Sequence, residues 1–178
     1  MPTFTFHNAR ASSHIGIVGG SNKEMIVYDV NQNKPITIIN EPHVKHVHTV
    51  KFYEGYYSQG DPDSLNTFLT ASTDSLIKLW DLRSGLSPVR TYSGGHINRH
   101  MQLGFDISNC YRYLVSGSEN RNSYVYDIGS EKVIEKVGVG HEAVTDVSFN
   151  PIYNEWATSS IDGHARMFRY PAFKTKSS

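Results

Sequence analysis

Short apolar and aromatic runs alternate with turn-forming residues along the whole chain. Runs such as MIVYDV (25–30), LIKLWDL (76–82) and SYVYDI (123–128) are rich in β-branched and aromatic residues, which is typical of strands. Gly-Gly, Ser-Asn, Asn-Arg and Asp-Gly pairs separate such runs, and helical periodicity is nearly absent. The pattern predicts an all-β protein with many short antiparallel strands, built as a sandwich, a barrel or a propeller.

Internal similarity selects among these architectures. Four windows share one order of a small residue, a turn, an apolar strand and an aromatic: GGSNKEMIVYD, STDSLIKLWD, SENRNSYVYD and SIDGHARMFR. Their aromatics are Tyr28, Trp80, Tyr126 and Phe168, at intervals of 52, 46 and 42 residues (80−28, 126−80, 168−126). The polar, turn-forming segment 54–66 lengthens the first interval, and we expect it to be a surface loop.

These motifs resemble the WD-repeat β-propeller family over about residues 12–170. The residues that carry the resemblance are Trp80-Asp81, its variants Tyr28-Asp29 and Tyr126-Asp127, the pairs Gly95-His96 and Gly140-His141, and VSFNP (147–151). The resemblance implies an all-β WD-repeat propeller with about four blades of antiparallel strands in one domain. The expected blades are 3–40, 41–93, 94–138 and 139–170, followed by a flexible tail at 171–178.

Four blades are at the lower limit of the known range of four to eight. We therefore expect a partial propeller that a second copy completes as a homodimer, with completion by another chain or a compact four-bladed ring as alternatives. The run TFTF (3–6) fits the inner strand of the first blade, or a strand that completes the fourth.

The resemblance also implies structural tetrads, in which a Trp, a Ser or Thr, a His and an Asp are joined by hydrogen bonds inside each blade. In the second repeat the set is Trp80, Thr70, His43 and Asp74. The third repeat offers His96, Ser116, Asn120 and Tyr126, and the fourth offers His141, Thr158, Asp162 and Phe168. Since Asn120 is not a carboxylate and Phe168 has no hydrogen-bond donor, only the second repeat contains all four residue types of a tetrad.

The same residues admit an enzymatic or metal-binding interpretation. Thr70, His43 and Asp74 are the types of a hydrolytic triad, and the imidazoles of HVKHVH (43–48) are of a type that binds zinc or nickel. However, Thr70 lies in the middle of a strand, whereas a nucleophile needs an exposed turn, and neither G-x-S-x-G nor a phosphate-binding loop is present. We therefore predict no catalytic residues, no metal and no cofactor, and keep the His-cluster metal-binding or hydrolytic enzyme as the alternative.

Composition narrows the range of partners. Lys and Arg total 17, as do Asp and Glu, so the formal net charge is zero, which disfavours nucleic acid and anionic membranes as partners.

The N-terminus lacks the pattern of a secretory signal, and no apolar run reaches 18 residues. A single cysteine, Cys110, fits a reducing compartment, so we expect a cytoplasmic protein, with the nucleus as the alternative.

The sequence thus predicts a non-enzymatic scaffold that binds other proteins through loops on one propeller face. If blade order follows the family, the residues lining that face are Lys45, His46, Asn98, Arg99, His100, Arg121 and Glu142. Because this set is mainly basic, we expect an acidic peptide segment as the partner.

Overall fold

A computed structural model describes residues 3–6, 14–53, 66–85, 87–153 and 155–169. The predicted loop at 54–66, except for Asn66, and the predicted tail at 171–178 lie outside these residues. The described chain forms fifteen strands. In chain order they are β1 (Thr3–Phe6), β2 (Ile15–Gly19), β3 (Glu24–Asp29), β4 (Lys34–Asn40), β5 (Val47–Phe52), β6 (Thr67–Ser72), β7 (Leu76–Asp81), β8 (Arg90–Tyr92), β9 (Phe105–Ile107), β10 (Tyr113–Ser116), β11 (Asn122–Asp127), β12 (Val133–Gly138), β13 (Val144–Phe149), β14 (Glu155–Ser160) and β15 (Ala165–Arg169).

The strands form four separate antiparallel sheets, each made of consecutive strands. Blades 1 to 3 have four strands each, β1–β4, β5–β8 and β9–β12, and blade 4 has three described strands, β13–β15. Strand β1, the TFTF run, pairs with β2, with Phe4 opposite Val18. It is therefore the inner strand of blade 1 and does not complete blade 4.

The turn between the second and third strand has the same conformation in every blade. Each turn places a residue with positive φ directly after an Asn or Asp: Lys23, Ser75, Arg121 and Gly163. Their φ values of 61°, 64°, 71° and 78° lie in the left-handed region. In two of the turns the preceding carboxylate accepts a backbone N–H two residues on, from Leu76 and from His164. These two Asx turns fix where the third strands of blades 2 and 4 begin.

The Asp that ends the third strand has a structural role in three blades. Asp29 accepts the backbone N–H groups of Asn31 and Gln32, and Asp81 accepts that of Arg83. Asp127 accepts the N–H of Ser130 in the same way. The carboxylate of each Tyr-Asp or Trp-Asp pair therefore closes the turn into the fourth strand.

Three hydrophobic cores join the blades in series. One core, around Ile17 and Trp80, lies between blades 1 and 2, and a second, around Leu79 and Phe105, lies between blades 2 and 3. The third, around Val115 and Trp156, lies between blades 3 and 4. In the part of the chain that the structure describes, no core joins blade 4 back to blade 1.

Residues on or next to the inner strands of all four blades, including Thr5, Lys51, Asp106 and Phe149, line a cavity of about 440 Å³. Lys51 Nζ lies 3.3 Å from an Asp106 carboxylate oxygen, which links the inner strands of blades 2 and 3. No helix within the described ranges has the length and apolar character needed to cross a membrane.

Candidate functional site

One end of the blades carries both the predicted tetrads and the predicted binding loops. We call this end the upper face and define it by the connections between blades (41–46, 93–104 and 139–143) and the turns at 73–75 and 117–121. Several hydrogen bonds join these segments: Ser75 Oγ donates to the Asn98 carbonyl at 3.0 Å, and the Asn98 N–H donates to Ser75 Oγ at 2.9 Å. The upper face is therefore a connected surface.

In blade 2 the structure brings the four predicted tetrad residues together. His43 Nδ1 lies 3.0 Å from an Asp74 carboxylate oxygen, and His43 Nε2 lies 2.8 Å from Thr70 Oγ1. Trp80 Nε1–H donates to the same Thr70 oxygen at 2.9 Å. Thr70 and His43 are almost wholly buried, and so is Trp80. This series of hydrogen bonds links β6 and β7, the second and third strands of blade 2, to the loop that precedes its first strand, β5.

The hydrogen-bond donors and acceptors of these four residues can be paired in one consistent arrangement. If His43 donates from Nδ1 to the Asp74 carboxylate, its Nε2 accepts the Thr70 hydroxyl proton, and Thr70 oxygen accepts from Trp80. Burial by itself would raise the pKa of Asp74, but the hydrogen bond with His43 acts in the opposite direction. The N–H groups of Leu76 and Val44 also contribute, so the pKa of Asp74 lies below its ordinary value. Asp74 is thus held as a carboxylate.

This geometry does not suit a hydrolytic site. A nucleophilic hydroxyl must reach substrate, whereas Thr70 has no exposed surface, and its oxygen is already bonded to Trp80 and His43. The arrangement acts as a buried brace between strands.

The histidines of HVKHVH are also engaged in hydrogen bonds. His48 Nδ1 lies 2.8 Å from Thr49 Oγ1, and its Nε2 accepts from the Asn98 side-chain amide at 2.8 Å. Burial, with smaller effects from His46 and His43, lowers the pKa of His48 to about 4. Since His43 uses both ring nitrogens in the brace, two of the three imidazoles are occupied. Across the described ranges, no group of three or more His, Cys, Asp or Glu is placed to hold a metal ion.

In blade 3 the hydrogen bonds differ from the predicted tetrad. His96 Nδ1 lies 2.7 Å from the Tyr126 hydroxyl, which also accepts the His96 backbone N–H at 3.0 Å. Ser116, the predicted intermediary, instead donates to the Gly117 carbonyl, and Asn120 donates to the Tyr124 hydroxyl. The Tyr126 hydroxyl lies at the far end of the phenol ring, so it bonds to His96 directly, without Ser116 as an intermediary.

Blade 4 does not form the predicted tetrad either. His141 is exposed, and the buried Thr158 hydroxyl has no hydrogen-bond partner among the described residues. Asp162 pairs with Arg166 at 3.0 Å across the turn. Because the Phe168 ring has no N–H or O–H group, it cannot donate a hydrogen bond to Thr158. The blade 4 tetrad therefore does not form.

The predicted binding residues lie on the upper face, with one correction. Arg99, His100 and Arg121 are exposed, as are Lys45 and Glu142, and His46 is half-buried. Asn98 was expected on the surface but is only 2% exposed. Its bonds to Ser75 and His48 make it a part of the scaffold beneath the loop, so it does not offer its side chain to a partner.

Glu119 is an upper-face residue that the sequence analysis did not identify. One of its carboxylate oxygens accepts the backbone N–H groups of Arg99, His100 and Met101, at 2.7, 2.6 and 3.1 Å. Burial opposes ionisation, but these N–H bonds prevail and hold the pKa of Glu119 below its usual value. No sequence pattern indicated this role, because the loop and the carboxylate are about twenty residues apart. The carboxylate fixes the loop so that Arg99 and His100 point to solvent.

Residues 134–169, which span β12 to β15 almost completely, match the family model "WD domain, G-beta repeat". The chain is 30% identical to WD repeat-containing protein RUP1 of Arabidopsis thaliana over 154 residues, which cover 82% of this chain and 37% of that protein. It is 35% identical over 121 residues to E3 ubiquitin-protein ligase COP1 of the same plant, covering 67% of this chain and 16% of COP1.

A third relative, histone acetyltransferase type B subunit 2 of Candida glabrata, is 25% identical over 176 residues, covering 90% of this chain and 41% of that protein. The chain thus spans less than half the length of each of these relatives. The matched repeat and the four antiparallel sheets confirm the prediction of an all-β, WD-repeat β-propeller fold.

Proposed function

We propose that this chain, similar in sequence to WD-repeat proteins, is a non-enzymatic scaffold that binds other proteins through the upper-face loops. The observation that carries the proposal is the loop at 97–101. Glu119 holds its backbone through three N–H bonds, and Lys45 Nζ donates to the Arg99 carbonyl at 3.3 Å. A loop that is already ordered loses little conformational entropy when a partner binds.

The partner we propose is an acidic peptide segment. Arg99, His100 and Arg121 are exposed on this face, and the nearby Glu119 carboxylate is turned into the loop, where backbone N–H groups compensate its charge. Cations on a rigid surface attract carboxylates and favour their encounter at low salt.

Fluorescence anisotropy with a labelled peptide rich in Asp and Glu tests this proposal. We expect the unaltered chain to bind the peptide, with an affinity that falls as salt rises. The double variant Arg99→Glu, Arg121→Glu should bind about 10-fold or more weakly, since two attractive charges become repulsive. Lys132→Glu is the matched control, because Lys132 is exposed in the turn at the opposite end of β11 from Arg121. Equal affinity in the double variant would rule out this face.

We propose further that the four blades belong to a larger ring, completed by a second copy or by another chain. The support is that three cores join the blades in series and that, among the described residues, no fourth core joins blade 4 to blade 1. The molar mass in solution, measured by light scattering, distinguishes a self-completed ring from a lone chain of 20.0 kDa.

The third and fourth repeats, from GGHINRH (94–100) to ATSSIDGHARMF (157–168), lead us to propose a relationship to the C-terminal repeats of WD repeat-containing protein 27. The third repeat departs from the usual pattern at Asn120 and Tyr126, which replace Asp and Trp. The same two departures in an alignment with those repeats would support the relationship, and the usual Asp and Trp there would contradict it.

For localisation we propose the cytoplasm, with the nucleus as the alternative, because a single cysteine fits a reducing compartment. Imaging of a fluorescent fusion in cells tests this directly, and signal confined to a secretory compartment would contradict it.

A further inference from the structure

The upper-face loop 41–46, which leads into the first strand of blade 2, presents an apolar side chain to solvent. Val44 is 75% exposed, the largest exposed fraction of any large apolar side chain in the described ranges. The residue at the same place, directly after the histidine, is Ile97 in blade 3, which is half-buried, and Glu142 in blade 4, which is charged. Of these three loops, only that of blade 2 has a fully exposed apolar residue at this place.

The hydrogen bonds around Val44 hold it in this exposed position. Its backbone N–H donates to an Asp74 carboxylate oxygen at 3.1 Å. The residue before it, His43, is buried, and both of its ring nitrogens are bonded in the brace. On the other side, Lys45 Nζ donates to the Arg99 carbonyl at 3.3 Å. Because the loop is fixed on both sides of Val44, the valine side chain does not turn inward in the folded chain.

Towards blade 3, the surface beside Val44 is cationic. Three exposed Lys or Arg residues lie on this side: Lys45, Arg99 and Arg121. Glu119, the acidic residue among them, has one carboxylate oxygen bonded to three backbone N–H groups of the 97–101 loop. Lys45 uses one of its three N–H donors on the Arg99 carbonyl, which leaves two donors for a partner. This side therefore attracts the carboxylates of a partner.

An exposed glutamate bounds the cationic stretch at each end. Towards blade 1, Glu41 begins the loop, and its backbone N–H donates to the Lys23 carbonyl at 2.9 Å. Glu41 and Lys23 are both exposed and have opposite charges, so this end offers a carboxylate little net attraction. Towards blade 4, Glu142 is exposed in the connection at 139–143. Val44 thus lies at one border of the stretch that attracts carboxylates.

We infer that the partner of the upper face is an acidic peptide segment bordered by an apolar residue, which packs on Val44 while the carboxylates face the cations. Carboxylates alone would leave the valine methyl groups in water, whereas an apolar side chain at the border of the acidic stretch covers them and is itself removed from water. This inference rests on the upper-face function proposed above and specifies the sequence of the segment that binds there.

Fluorescence anisotropy with a set of labelled acidic peptides tests the inference. The reference peptide contains only Asp, Glu and Ser, and each of the others has one leucine, either at one border of the acidic stretch or in its middle. We expect leucine at one border to tighten binding about 3- to 10-fold relative to the reference peptide, and leucine in the middle to have a smaller effect. Equal affinities for all the peptides, or the largest gain from the central leucine, would overturn the proposal.

Val44→Ala tests whether the leucine contacts this residue. The substitution removes both methyl groups, so most of the gain from the border leucine should be lost, while affinity for the reference peptide stays within about 2-fold. Val89→Ala is the matched control, because Val89 is also exposed but lies in the connection between β7 and β8, at the opposite end of blade 2. The control should keep the full gain. The same gain in both variants would overturn the proposal, since the leucine would then bind elsewhere.

The same titrations separate this inference from the proposed scaffold function. If the reference peptide binds the unaltered chain and not the Arg99→Glu, Arg121→Glu variant, while leucine adds nothing at any position, the upper-face function stands and only the role of Val44 is refuted. If no peptide of the set binds, both proposals are refuted. Because the Val44 side chain is exposed, Val44→Ala should have the circular dichroism of the unaltered chain, so a lost gain in affinity reports the contact and not unfolding.

Discussion

Replacing Thr70 with valine removes one hydroxyl from the centre of the blade 2 brace and nearly preserves the shape of the side chain. The change leaves two buried groups without partners: the Trp80 Nε1–H, which donates at 2.9 Å, and His43 Nε2 at 2.8 Å. Each buried polar group left without a partner costs about 1–3 kcal/mol, and the added methyl group recovers a part of this. We expect Thr70→Val to lower the free energy of unfolding by about 2–4 kcal/mol.

The fourth blade supplies a matched control at the same repeat position. The Thr158 hydroxyl is buried and has no partner among the described residues, so Thr158→Val should leave stability unchanged or raise it by up to about 1 kcal/mol. Urea unfolding, followed by far-ultraviolet circular dichroism and tryptophan fluorescence, measures both variants. Similar losses in both, or a Thr70→Val loss below about 0.5 kcal/mol, would refute the brace.

Three further outcomes follow from the same contacts. Trp80→Phe should cost about 2–4 kcal/mol, since it removes the indole donor and part of a buried ring, and urea unfolding checks this. Tyr126→Phe should cost about 1–3 kcal/mol in the same assay, because the hydroxyl is bonded to both the backbone and the ring of His96, and no loss would contradict that pairing. Burial lowers the pKa values of His48 and His96 from 6.5 to about 4, so the unfolded chain takes up protons below pH 6.5 that the folded chain excludes. Unfolding free energy should therefore fall as the pH drops from 6.5 towards 4, and His96→Asn should reduce this slope, whereas an unchanged slope would contradict the assignment.

The blade 2 brace could be predicted from sequence because every partner is of the expected type and lies at a fixed place in the repeat. Thr70 and Trp80 lie on the two strands of one hairpin, and Asp74 is in the turn between these strands. The spacing along the strands therefore determines their positions. His43 comes from the loop before the first strand and completes the same set.

The other blades could not be predicted in this way, because one changed side chain redirects the remaining bonds. Tyr126 occupies the position of Trp80, but its hydroxyl reaches His96 directly and leaves Ser116 to bond with the backbone. In blade 4 Phe168 has no donor, and His141 is exposed and takes no part in a tetrad. The repeat pattern gives the position of a residue, while the partner depends on the length and chemistry of its side chain.

The upper face was predictable in outline only. The order of blades and loops placed Arg99 and Arg121 on one face, but it did not show that Asn98 turns inward. Nor did it show that Glu119 binds the loop backbone. The Asn98 contacts reach Ser75 and His48 of the preceding blade, and Glu119 binds a loop about twenty residues away, so neither contact follows from the repeat pattern.

We propose that this chain works by binding proteins through the upper face, on a framework that the buried histidines stabilise. Affinity capture from cell extract with quantitative mass spectrometry tests it most directly, using the unaltered chain, the Arg99→Glu, Arg121→Glu variant and the Lys132→Glu control. We expect a set of proteins with acidic segments that the unaltered chain and the control retain and the double variant loses, while all three chains show the same circular dichroism. The same set of proteins captured by all three chains would contradict it.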